Sequence, residues 1–467
     1  MGILTLTKNK ANLIFAFLVL AASIVVLWDA NWTLGDDNQF ITTTAIGLPV
    51  YGWCGSGRFF PLGLFDCSVL LFVPFGNTAV AHLLYSCVMM ISSSVIFFNL
   101  LKKITNHDYL SSLLSIILLF FSASFLQVHM ACFFCERIIF FLSSIIMFCL
   151  WMAEYRHKTK YYIFAFISSV YMTYTKEPIF GSLGIIALME LIFCIKLRGG
   201  VFSDRKKIFY ISILINCFIF IVIYAYFWFK NPPTEIYGSD RMHNIFYTIF
   251  TCWRREPYLI IATILSVIRA FSILFKKDKE QLLIDSFLFA GIGYMLAIFI
   301  LGFIQAYYYF PAVCFSLPAF AYYLCKLKDS NKISQRNLLI ASLIIVIAIS
   351  TVRSVREVKK NLRLRAGDMP AIEYLVNQCR NGLKITFFTT EPYDWCIAFT
   401  LNAMKYIFNM ENIPYSIINR KDCISDKPIV IIPAGQKDKN LLDQKLADFY
   451  LYYRSLYIDI YIRKNYK

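Results

Sequence analysis

NLIFAFLVLAASIVVLWDANWTLGDDNQF, residues 12–40, runs from an apolar segment straight into an acid pair. Residues 12–28 carry no charge. Crossing a bilayer takes roughly 20 mostly apolar residues, coiled so that the helix satisfies every backbone N–H and C=O internally. Asp36 and Asp37 stand just where the chain leaves that first span.

The same apolar pattern recurs along the chain. Of 467 residues, 58% are hydrophobic and 16% charged, a composition that the surface of a water-soluble protein of this size could not carry. Segments near 12–28, 80–101, 110–126, 137–153, 160–175, 179–196, 209–229, 257–275, 284–304, 308–325 and 337–352 predict a polytopic α-helical membrane protein of about eleven spans. The first span lacks a small-residue cleavage site and reads as a retained helix. Lys and Arg set the orientation: with a cytoplasmic N-terminus, nineteen fall on cytoplasmic loops and seven on the opposite side of the helical region. That asymmetry accounts for much of the +17 net charge, so anionic lipid headgroups are a sufficient partner and nucleic acid is not needed.

After about residue 352 charged residues recur every few positions and apolar runs shrink to strand length, as in KITFFTTEP and PIVIIPAG. The division is therefore 1–352, a transmembrane domain, and 353–467, a small soluble α/β domain, outside after an odd number of spans. Six basic residues from Arg353 to Arg365 run against the positive-inside rule, which weakens for long translocated domains. No Walker, GxGxxG, HExxH or GxSxG motif occurs, which removes nucleotide-driven pumping, dinucleotide redox and familiar protease chemistry.

Residues 29–79 form the longest outer loop of the helical region. GDDNQFITTTAIG opens a short helix at the acids, YGWCGSGRFFPLGLFD carries Arg58, and CSVLLFVPF is too short to span and reads as interfacial or re-entrant. An acid pair after span one, the G-R-F-F-P-L segment, interfacial helices in the same loop and a C-terminal outer domain together resemble the GT-C class of membrane glycosyltransferases. Within that class the length and GRFFPL look like bacterial O-antigen glucosyltransferases of the serotype-converting kind. The resemblance implies transfer of a sugar from a polyprenyl-phosphate donor to a hydroxyl of a lipid-linked polysaccharide acceptor. The place would be the periplasmic face of the inner membrane, with inversion at the anomeric carbon and neither cofactor nor metal. It assigns the general base to Asp36, with Asp37 orienting base or acceptor, since a hydroxyl needs a carboxylate to take its proton.

A lipid-phosphate leaving group needs cations, and Arg58, Arg137, Lys176, Arg254 and Arg255 lie on the required side. Arg58 ranks first because it shares the loop with the acids. Glu136 with Arg137 opens span four and is either a structural pair or part of the site. Lys176 and Glu177 precede Pro178, where the helix dipole favours an acid. QAYYYFP, residues 305–311, reads as an interfacial aromatic belt, and Arg269 as a snorkelling side chain. Cys54 with Cys67, or a pair among Cys379, Cys396 and Cys423, would suit a bridge on an oxidising side. Rival functions are an O-antigen polymerase or ligase, and a flippase, which would place charges inside spans.

Overall fold

Long apolar helices dominate the chain because a lipid-facing backbone has no other way to satisfy its hydrogen bonds. The computed structural model describes residues 6–32, 58–197, 204–230, 245–276, 281–328, 333–389, 395–418, 427–433, 446–454 and 458–464, with positions 40, 43–44, 47–48 and 54–55. Asp36 and Asp37 lie outside the described residues.

After α1 (Lys8–Leu27), a two-stranded ribbon pairs β1 (Cys54–Gly55) with β2 (Arg58–Phe59), and a short helix α2 (Phe65–Leu70) follows. Next come α3 (Ala79–Ile104), α4 (Tyr109–Phe120), α5 (Ala123–Met130), α6 (Glu136–Arg156), α7 (Thr159–Thr173) and α8 (Ile179–Leu197). The bundle continues with α9 (Asp204–Lys230), α10 (Ile245–Arg255), α11 (Tyr258–Lys276), α12 (Leu282–Leu301), a 3-10 turn (Ala306–Tyr309) and α13 (Phe310–Lys328). This is a multi-pass helical membrane protein. Among the described residues seven helices are long and apolar enough to span, and α4 with α5 makes an eighth if the pair, bent by 58°, is one span. The expected eleven is not reached on length and composition: α7 has 15 residues, and the apolar part of α8 is also short. The bend between α4 and α5 has a local cause, because Ser122 accepts a hydrogen bond from Phe125 N at 3.3 Å and so opens a new helix.

One helix, α14 (Ile333–Arg380), carries the chain from the bundle past residue 353 to the C-terminal sheet. There β3 (Ile385–Phe388) lies parallel to β4 (Tyr415–Ile418) and to β5 (Ile429–Pro433). Antiparallel β7 (Ile458–Arg463) and β6 (Phe449–Arg454) complete the order β4-β3-β5-β7-β6, with α15 (Trp395–Tyr406) between β3 and β4.

Charge is also buried toward the opposite end of the bundle from Glu136, at helix ends the sequence left to solvent. Arg269 does not snorkel: its guanidinium forks onto Asp285 at 3.0 and 2.9 Å, and Tyr323 OH donates to the same carboxylate at 2.8 Å. Nearby, Lys206 binds Glu154 and lies 2.8 Å from Glu190, which accepts from Ser286 at 3.1 Å. The reason is that residues of six helices, α6, α8, α9, α11, α12 and α13, face one another here, and a buried charge is tolerable only when paired. Tyr323→Phe removes one bond to a buried carboxylate and should cost about 2 kcal/mol, read as a lowered melting temperature in detergent. An unchanged melting temperature would mean that the Arg269 fork alone satisfies Asp285.

Candidate active site

The site is built where the loop after β2 meets the turn between α7 and α8. Leu62 N donates to Tyr174 O at 3.0 Å, and a Cβ on Gly63 would stand 2.9 Å from Thr175 O, so only glycine permits this approach. The contact brings Arg58 to Glu177 across 119 residues of sequence: Nε donates to Oε1 at 2.6 Å and Nη2 to Oε2 at 3.2 Å. The fork is half-buried, and the Arg58 guanidinium also lies 4.8 Å from the centre of the Phe60 ring. Charge, hydrogen bonds and a ring face therefore all hold Arg58 in one orientation.

Lys176, the preceding residue, is buried and donates to Glu136, the first residue of α6, which is buried as well. Its ammonium sits 4.4 Å from the Tyr308 ring centre and 5.2 Å from that of Tyr307. Burial is the largest single influence and opposes its charge, but Glu136 together with Cys135, Tyr294 and Tyr308 outweighs it, and the ammonium is held well above its ordinary range. The tyrosines of QAYYYFP are buried under this pair, with Phe134 stacked on Tyr307 at 4.3 Å and Gln127 accepting from Tyr307 N at 3.0 Å. They are a wall of the site and not a lipid-facing belt, because the 3-10 turn folds them inward.

Arg137 is fully buried behind this layer. Its Nε lies 3.7 Å from Asp66 Oδ2 and its Nη2 donates to Cys67 Sγ at 2.7 Å, over the Tyr85 ring. Three cations and three acids, Arg58 with Glu177, Lys176 with Glu136 and Arg137 with Asp66, therefore interleave at one end of the bundle. Asp66 had no signal in sequence beyond its place in the loop. Cys67 forms no disulfide, so the Cys54–Cys67 bridge is absent; Cys379 and Cys396 are not bridged to each other, and Cys423 lies outside the described residues.

Arg254 and Arg255 end α10 somewhat apart from this core. Arg255 reaches Gln305 at 3.4 Å, next to the tyrosine wall, while Arg254 is exposed. Burial, then the guanidiniums of Arg356, Arg254 and Arg255, lower the pKa of Arg353, so these arginines form a patch of one sign. Beside it Glu256 is buried and accepts from Ser122 at 3.0 Å and from Ser124 N. Burial raises its carboxyl to about 7 although both serines favour the charged form. An acid raised on folding contributes stability while protonated, and that contribution is lost as pH rises through about 7. Melting temperature should fall across that window, and Glu256→Gln should flatten the fall. An unaltered slope in the variant would assign the pH dependence elsewhere.

The segment holding Asp36 and Asp37 is flanked by Trp32 and Phe40, and both rings pack on Phe133, at 5.6 and 5.7 Å between centroids. Phe133 stands three residues before Glu136. No protein-family model and no curated protein matches the sequence. Among solved structures the chain is similar to ArnT from Cupriavidus metallidurans in the apo state, at 10% identity, covering 97% of this chain and 98% of that one, with a TM-score of 0.52. The likeness is one of overall fold, and it extends over nearly the whole of both chains.

Proposed function

We propose that this protein is a glycosyltransferase that moves a sugar, by preference glucose, from a polyprenyl-phosphate carrier to a hydroxyl of a lipid-linked O-antigen or related polysaccharide. The reaction is placed at the periplasmic face of a bacterial inner membrane, with the N-terminus cytoplasmic. The observation that carries the reading is the GT-C-like fold over nearly the whole chain, with Arg58, Lys176 and Arg137, from three separate segments, each held by an acid at one end of the bundle.

The acceptor oxygen attacks the anomeric carbon as its bond to the carrier phosphate breaks with the electron pair. Asp36 takes the hydroxyl proton, Asp37 orients the acceptor or the base, and polyprenyl phosphate leaves with one more negative charge than it had as a diester. A single displacement inverts the centre. Arg58 and Lys176 meet the growing charge, while Arg137 with Asp66 supports the layer behind them. Because Glu177 and Glu136 already hold those cations, an arriving phosphate must share or displace a carboxylate. Arg254 and Arg255, with Arg353, suit the anionic headgroup of a lipid-linked acceptor.

Arg58→Ala should weaken transition-state stabilisation by about 2 to 3 kcal/mol, seen as a higher donor KM and a lower kcat in reconstituted vesicles. Arg58→Lys should recover part of this, since lysine lacks the fork that engages Glu177. Wild-type donor kinetics in Arg58→Ala would move the phosphate site away from this loop. A flippase is the second reading, favoured by the charges buried within the bundle at Arg269, Asp285, Lys206 and Glu190. Carrier-lipid translocation by vesicles lacking any acceptor would support it, and sugar transfer without translocation would exclude it.

A further inference from the structure

Arg365 belongs to the basic run that sits against the positive-inside rule, yet it is fully buried. From α14 its Nη1 donates to Val26 O at 2.7 Å and to Trp28 O at 3.0 Å, and its Nη2 donates to Met130 O. Val26 and Trp28 close α1, and Met130 is the last residue of α5. Helix C-termini leave carbonyls without partners and carry partial negative charge, so one guanidinium fork satisfies the exits of two helices at once. Those exits start the two loops that matter for transfer. The first proceeds from Trp28 through Trp32 to Asp36 and Asp37, and the second from Met130 through Phe133 to Glu136 and Arg137. Above the fork, Trp32 and Phe133 stack with their planes 5° apart.

The same stretch of α14 is gripped by the C-terminal sheet. Pro370 has no N–H for the carbonyl four residues back, so Ala366 O loses its helical partner. Tyr453 OH on β6 donates to Gly367 O at 2.8 Å and lies 3.4 Å from Ala366 O, and Tyr452 stacks on Tyr374 at 4.4 Å. The sheet therefore holds the turn of helix that presents Arg365.

We propose that Arg365 is a positioning residue that registers the exit of α1, as far as Trp32, against the exit of α5, as far as Phe133, and that the C-terminal sheet holds it in place through Tyr453. The proposal rests on the transferase reading for its kinetic consequence and on geometry alone for the registry. A misplacement of about 1 Å between base and phosphate site can cost on the order of a hundredfold in turnover. Arg365→Lys keeps the charge but cannot fork onto three carbonyls, so kcat should fall by roughly ten- to a hundredfold with donor KM little changed. Tyr453→Phe should move kcat the same way by less, without disturbing any buried charge.

The test uses the full chain in vesicles with polyprenyl-phosphate glucose as donor probe, and separately an Ala30→Cys, Ala131→Cys pair joined by a short bifunctional maleimide. Lower kcat at unchanged donor KM, together with slower cross-linking in Arg365→Lys, is the expected result. Wild-type kcat and cross-linking in Arg365→Lys, with Asp36→Asn inactive, would overturn the positioning role and leave the transferase reading intact. Loss of folded protein with normal kinetics in what remains would also overturn it. Full activity in Asp36→Asn would instead overturn the transferase assignment of the base, and the cross-linking rate would still decide the registry.

Discussion

Asp36→Asn is expected to abolish sugar transfer while the protein still inserts and folds. A hydroxyl becomes a competent nucleophile only as its proton leaves, and a positioned general base contributes about 10²- to 10⁴-fold. The amide keeps the shape of the carboxylate and cannot accept that proton, so the loss should appear in kcat. Asp37→Asn should damage transfer severely as well, because the second acid orients the first or the acceptor. Near-normal surface glycosylation by both variants would remove the acid pair from the mechanism and redirect attention to Glu136 and Glu177.

Lys176→Met should have the second-largest effect, on two measurable quantities. Lys176 and Glu136 are both buried, and deleting one partner leaves an uncompensated charge, which costs about 3 to 5 kcal/mol of stability. The tyrosine rings beneath the ammonium would lose their cation too. The double variant Lys176→Met, Glu136→Leu removes both charges and should regain most of the melting temperature. Transfer should stay low in it, because the carrier phosphate has lost its cation. If the double variant regained transfer together with stability, the pair would be structural only, and Arg58 would carry the phosphate contact alone. The cycle separates the roles because the two residues touch and their effects cannot add.

Much of the candidate site was legible as residue types and hardly at all as partners. Arg58, Glu136, Arg137, Lys176 and Glu177 stand out in sequence because charge beside an apolar run is expensive and hence informative. Which acid holds which cation was not legible, since Lys176 and Glu136 are 40 residues apart and Arg58 and Glu177 are 119. Asp66 looked like any loop acid until Arg137 was found behind it. Arg269 offered a similar trap. A long cation near the end of a span can reach water, and nothing local in its helix reveals that Asp285 is closer.

The sequence by itself determined the class of the molecule, because the length of an uncharged run decides whether a segment can cross lipid, and that quantity is local. It also determined that an α/β segment follows, where apolar runs shorten to strand length and charges return. Only the tertiary structure decided what each charged or aromatic residue faces. The tyrosines at 307 and 308 became a wall beneath Lys176, and Arg365 became a clamp on the ends of two helices. The physical reason is that burial and pairing depend on which helix ends meet, which is settled by packing between segments far apart in the chain and leaves no periodicity or spacing to be read.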